Sequence, residues 1–158
     1  MECGAAMSRL VARFVMILFV TLISPSGVAN EVRSLVLVAH VGANNINLTN
    51  LEIRRLFLGL PVAQQQRRLI AIINRTESLL YQVFLQKVLF MSAPLYERQL
   101  LANVVRQSGI QPPVYTDQQA LLRALRTQPS TVTFMWQDQI SAGSGAVVIA
   151  VIWQGSVH

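Results

Sequence analysis

Short runs of consecutive apolar residues alternate along the chain with stretches of helical periodicity. Ser34 to His40 reads Ser-Leu-Val-Leu-Val-Ala-His and Leu69 to Ile73 reads Leu-Ile-Ala-Ile-Ile. Both have strand length and are rich in β-branched side chains, the pattern of strands buried on both faces. Thr131 to Trp136 and Ala146 to Trp153 read as two more strands, joined through the turn Ala142-Gly-Ser-Gly145.

The intervening segments carry helix signals. Thr49-Asn-Leu-Glu52 is a capping box, in which threonine and glutamate satisfy each other's exposed backbone donors. It predicts a short helix with Leu51, Ile53, Leu56, Phe57 and Leu60 on its apolar face, ended by Gly59 and Pro61. A polar turn, Gln64 to Arg68, leads into the second strand. Thr76 is the expected N-cap of a second helix, whose broad apolar face carries Leu79, Leu80, Val83, Phe84, Val88 and Leu89. Ser92 caps a third, with Pro94 in its first turn and Leu95, Leu100, Leu101, Val104 and Val105 facing inward until Gly109. After the extended Gln111-Pro-Pro113, Thr116-Asp-Gln-Gln119 repeats the capping-box pattern ahead of Leu121, Leu122 and Leu125, and Pro129 stops that helix. The order β-α-β-α-α-α-β-β predicts an α/β fold with a mixed, mainly parallel sheet flanked by helices.

The N-terminus changes the picture of where this domain works. Arg9 and Arg13 precede an apolar stretch from Phe14 to Ile23, a breaker cluster Ser24-Pro25-Ser26-Gly27, and the small residues of Gly27-Val28-Ala29. That is the layout of a secretory signal peptide cleaved after Ala29, and the apolar stretch is far short of the ~20 residues that span a bilayer. Residues 1–29 are therefore expected to be a signal, residues 30–158 a single domain, and the compartment the periplasm. Cys3, the only cysteine, lies before the apolar run. It is not placed for lipid attachment, and the mature domain rests on its core without disulfides.

Charge narrows the partners. Thirteen Lys and Arg stand against 7 Asp and Glu, a net +6, and with two arginines and one acid in the signal the remainder keeps +5. The arginines are dispersed, from Arg54-Arg55 and Arg67-Arg68 to Arg123 and Arg126, without the dense run or interleaved aromatics of a nucleic-acid groove. Nucleic acid is not an expected partner; a small anion or an acidic surface is. Chemistry is sparse as well. His40 and His158 are isolated, and Glu52, Glu77, Glu97 and Asp117 fall in early helix turns, where acids offset the helix dipole. No nucleophile triad or metal cluster is visible, so neither catalysis nor a cofactor is expected.

The most suggestive cluster is Asn74-Arg75-Thr76-Glu77-Ser78, at a strand-to-helix junction. Free amides at a helix start, two hydroxyls and a guanidinium form the outline of an oxyanion cradle. The loop Gly42-Ala-Asn-Asn45 after the first strand is expected to open onto the same edge. Against an anion, Glu77 would repel it.

These segments resemble a known family. Val38 to Gly59, with its Asn-containing loop and the Leu56-Phe57-Leu58-Gly59 motif, is similar to the opening of short substrate-binding proteins related to the periplasmic component of the phosphate ABC transporter. Arg75, Thr76 and Ser78 ahead of Phe84-Leu-Gln-Lys-Val-Leu89, and the pair Pro112-Pro113, resemble the same family further on. The resemblance covers roughly residues 35 to 140 and implies a lobe of the type 2 periplasmic-binding-protein fold. It also implies phosphate or another small oxyanion as ligand, held by Asn44, Asn45, Arg75, Thr76 and Ser78, and a transporter or membrane complex as partner. Two segments depart from the family. Gln99-Leu100 stands where it usually carries Tyr-Trp, and Ser130-Thr-Val-Thr-Phe134 where it carries a Gly-Ala-Ile-Gly-Tyr stretch. Without those glycines backbone amides approach a ligand less closely. The contrasting expectation is a ligand-free interaction module of an envelope complex that keeps the fold.

Overall fold

The computed structural model describes residues 31–40, 46–107, 109–141 and 143–157. The expected signal peptide with Cys3, and the loop residues Asn44 and Asn45, lie outside them.

The first apolar run forms β1 (Val32–His40), the centre of a four-stranded sheet. Leu35, Leu37 and Ala39 face the main core, while Val36 and Val38 face a smaller one, so the strand is buried on both sides as its sequence predicts. The capping box is formed: Thr49 Oγ1 accepts from the Glu52 amide at 3.3 Å, and Glu52 accepts from the Thr49 amide at 2.8 Å. It starts α1 (Asn50–Phe57), which inserts Ile53, Leu56 and Phe57 into the main core. Gly59 ends it at φ +75°, a conformation that L side chains rarely adopt. The polar turn is a small hairpin of β2 (Ala63–Gln64) and β3 (Arg67–Arg68).

The second apolar run divides its pairing. β4 (Ile70–Ala71) joins the main sheet, while β5 (Ile73–Asn74) pairs with β6 (Val114–Tyr115). Next comes α2 (Ser78–Val83), continuing into a π-helical segment, Phe84–Leu89. The wider π turn lets Phe84, Leu85, Val88 and Leu89 all point inward. Phe84 stacks on Phe134 at 3.7 Å between ring centroids, and Phe57 meets both rings edge-on. This aromatic trio ties α1, the π segment and the sheet together.

Then come α3 (Ala93–Gln107) and α4 (Gln118–Thr127), followed by β7 (Thr131–Trp136), a 3₁₀ turn at Gln137–Gln139, and β8 (Ala146–Ser156). The strand order is β4-β7-β1-β8. β1 runs antiparallel to both of its neighbours, and only β4 with β7 is parallel within this sheet. The sheet is thus mixed, not mainly parallel. Alternating strands and helices imply parallel neighbours only when successive strands pair, and here β7 separates β1 from β4.

Three local expectations also shift. Thr76 does not cap α2: its amide and hydroxyl both donate to Asn74 Oδ1, at 3.0 and 2.7 Å, so Glu77 takes the N-cap position. Asp117, rather than Thr116, caps α4, accepting from the Ala120 amide at 2.7 Å. In α3 the buried residues are Tyr96, Leu100 and Asn103, while Leu95, Leu101 and Val105 are exposed. The phenol of Tyr96 donates to the Phe57 carbonyl at 2.8 Å and the Asn103 amide to that of Leu58 at 3.0 Å. Those carbonyls are orphan acceptors at the end of α1, and meeting them turns a polar face of α3 inward.

Candidate functional site

The junction at residues 74–78 follows β5 and is fixed from below by Asn74. That side chain is fully buried, and its Nδ2 donates to the Phe134 carbonyl at 3.0 Å while its Oδ1 holds Thr76. Arg75 projects outward from this base. One of its terminal nitrogens donates to Tyr81 Oη and to Glu97 Oε1, both at 3.2 Å, and the guanidinium lies 4.4 Å from the Tyr81 ring centroid. Burial pushes the Tyr81 phenol above its ordinary pKa. Arg75, Tyr81 and Glu97 border a cavity of about 320 Å³ whose apolar wall includes Leu100 and Pro112.

Of the residues expected to hold an anion, Arg75, Thr76 and Ser78 sit on this one turn, but they present different things. Arg75 faces a carboxylate, the Thr76 hydroxyl is directed at Asn74, and Ser78 is exposed at the first residue of α2. The strand from which residues 41–45 depart does not end on this edge. Arg33, near the start of β1, reaches Glu77, whereas His40 at its end pairs with Ala146 and places Nδ1 2.7 Å from the Leu125 carbonyl. Seven residues of strand, about 23 Å, separate the two ends. A carbonyl only accepts, so His40 Nδ1 carries the proton. β1 and β5 run in opposite directions, which follows from β7 being antiparallel to one and aligned with β4 leading into the other; the loop expected to share the edge lies outside the described residues.

The junction gains a set of residues that the sequence did not single out. The Glu77 carboxylate accepts from Arg33 at 3.3 Å, Trp136 Nε1 at 3.1 Å and Gln139 Nε2 at 3.1 Å. Arg33 also pairs with Asp138 at 3.1 Å and lies 4.2 Å from the Trp136 ring centroid. Trp136 is fully buried and the Arg33 side chain is 18% exposed, so these donors are largely withdrawn from water. A guanidinium, an indole and a carboxamide donor converging on one carboxylate is what an anion site looks like; here the carboxylate belongs to the chain. The partners lie 44 to 62 residues from Glu77 in sequence, and no local pattern connects them.

Among the described residues no group of three or more His, Cys, Asp or Glu is placed to hold a metal ion, and no helix is long and apolar enough to cross a membrane.

This geometry defines an α/β domain with a mixed sheet, compatible with a binding-protein-like lobe. In structure it is similar to an ABC-type phosphate transport receptor from Vibrio cholerae, with a TM-score of 0.55 at 9% sequence identity. The match covers 76% of this chain and 46% of the receptor, so the chain spans less than half of that receptor's length. The likeness is one of fold, at a distance. No known family profile and no curated protein sequence matches the chain.

Proposed function

We propose that this chain is an exported, non-catalytic lobe of the binding-protein type that no longer captures a free anion. In this reading it serves in the periplasm as an accessory interaction module of an envelope complex. The observation that carries the proposal is Glu77. Its carboxylate takes the donors of Arg33, Trp136 and Gln139 at the strand-to-helix junction, and Arg75 on the same turn is matched by Glu97. An incoming phosphate would meet two fixed negative charges, and their repulsion opposes binding. The domain then keeps the fold as a rigid scaffold and acts through its surface.

A second reading is favoured by one observation: the structural neighbour is a phosphate transport receptor. In it, phosphate or another small oxyanion displaces Glu97 from Arg75 and is held by Arg75, Thr76 and Ser78. Calorimetric titration with phosphate and sulfate separates the two. The interaction-module reading expects no heat and no change in melting temperature. An anion at a hundred times its Kd would add ~2.7 kcal/mol to stability, and such a shift, abolished by Arg75→Ala, would establish the second reading instead.

A further inference from the structure

Leu51 in the first turn of α1 and Phe90 just past the π segment are 67% and 71% exposed, the former on a helix and the latter in a left-handed backbone conformation at φ 57°. A bulky side chain in that conformation is strained, and burial of the ring does not repay it here. The two side chains wall one cavity of about 340 Å³, floored by Val88 and Ile152 and bordered by Arg54 and Lys87. Arg54 donates to the Leu89 carbonyl at 3.2 Å and lies 5.4 Å from the Phe90 ring centroid, bracing the ring in its outward position. Arg55 follows on the exposed side of the same helix. Among the described residues the ion pairs engage Arg33 and Arg75, and neither Arg54, Arg55 nor Lys87 meets a carboxylate. Glu52, the nearby acid, is tied back to Thr49.

Protruding apolar side chains surrounded by cations that, among the described residues, form no ion pair match a surface that is apolar beneath and negatively charged above. We infer that this patch docks the chain on an anionic phospholipid bilayer, with Leu51 and Phe90 entering the interface and Arg54, Arg55 and Lys87 meeting the headgroups. The net charge of +5 on residues 30–158 favours the same approach. The inference rests on the interaction-module reading and names its surface.

The test is co-sedimentation of the purified protein, its N-terminus fixed by mass spectrometry, with vesicles of phosphatidylcholine alone or with about 30 mol % phosphatidylglycerol, enough to give a negative surface. Because Phe90→Gly relieves the backbone and Leu51→Ser alters an exposed position, the double variant keeps the fold, which circular dichroism verifies. Binding to the anionic vesicles at least roughly tenfold tighter than to the neutral ones, weakened by salt and reduced at least tenfold in the double variant, is the expected result. Equal binding to both vesicles, binding that the double variant retains, or no binding overturns the inference. None of those results alters the calorimetry with free anions, so failure here is distinguishable from failure of the interaction-module reading.

Discussion

Replacing Glu77 with alanine separates an ion pair that organises the fold from one that merely decorates it. The substitution removes three charge-assisted acceptor contacts, to Arg33, Trp136 Nε1 and Gln139 Nε2. Each such bond is worth about 1.5–3 kcal/mol when its donor is left buried and unpaired. The contributions do not add, because the Glu77 side chain is 33% exposed, water refills part of the space, and Arg33 keeps Asp138. Trp136, fully buried, has no such recourse. The net cost expected is about 2–3 kcal/mol. Glu97→Ala is the control, since Glu97 is 63% exposed in its pair with Arg75 and its loss is expected to cost less than about 0.5 kcal/mol. Urea denaturation followed by circular dichroism and by the emission of Trp136 and its neighbour Trp153 gives both values. If Glu77→Ala stays within about 0.5 kcal/mol of the parent, or costs no more than Glu97→Ala, the cluster does not hold the junction and the reasoning fails.

Gly59→Ala is expected to cost at least about 2 kcal/mol in the same assay, because a Cβ there would stand 2.6 Å from the Ile110 carbonyl oxygen in a backbone at φ +75°. Asn74→Ala strips the Thr76 amide and the Phe134 carbonyl of their partner and should cost about 2–3 kcal/mol; a loss below about 1 kcal/mol would show that the Asn74 network is dispensable. The buried Tyr96 phenol has its pKa raised by burial, so the fold favours its neutral form. Stability is then complete below the ordinary phenol value of 10.0 and declines as pH climbs above it. In Tyr96→Phe, which also loses the bond to the Phe57 carbonyl, that alkaline decline should be smaller, as measured by urea midpoints on either side of pH 10.

What could be read from the chain was whatever a few neighbouring residues decide. The two-faced burial of β1, the capping box of Thr49 and Glu52, the stop at Gly59 and the existence of the strand β7 all follow from residues close in sequence. Sheet direction was not legible, because it turns on β7 entering between β1 and β4. The inward face of α3 was misread for a related reason. Tyr96 and Asn103 are drawn in by carbonyls at the end of α1, and this leaves Leu101 and Val105 outside. At the candidate site, Asn74 to Ser78 was visible as a cluster, but the role of Glu77 was not. An acid at a helix start is ordinarily a cap, and only Arg33, Trp136 and Gln139, brought from distant segments, turn its side chain away from the helix.

The central claim is that the chain's own carboxylate stands where a bound anion would. Titration of phosphate, sulfate and formate into the parent and into Glu77→Ala, read by calorimetry and by melting temperature, tests it most directly. The parent is expected to show no response, while the variant, with Arg33, Trp136 Nε1 and Gln139 Nε2 left facing an emptied position, is stabilised by at least one of the anions. A parent that binds phosphate, together with a variant that gains nothing, would contradict the account.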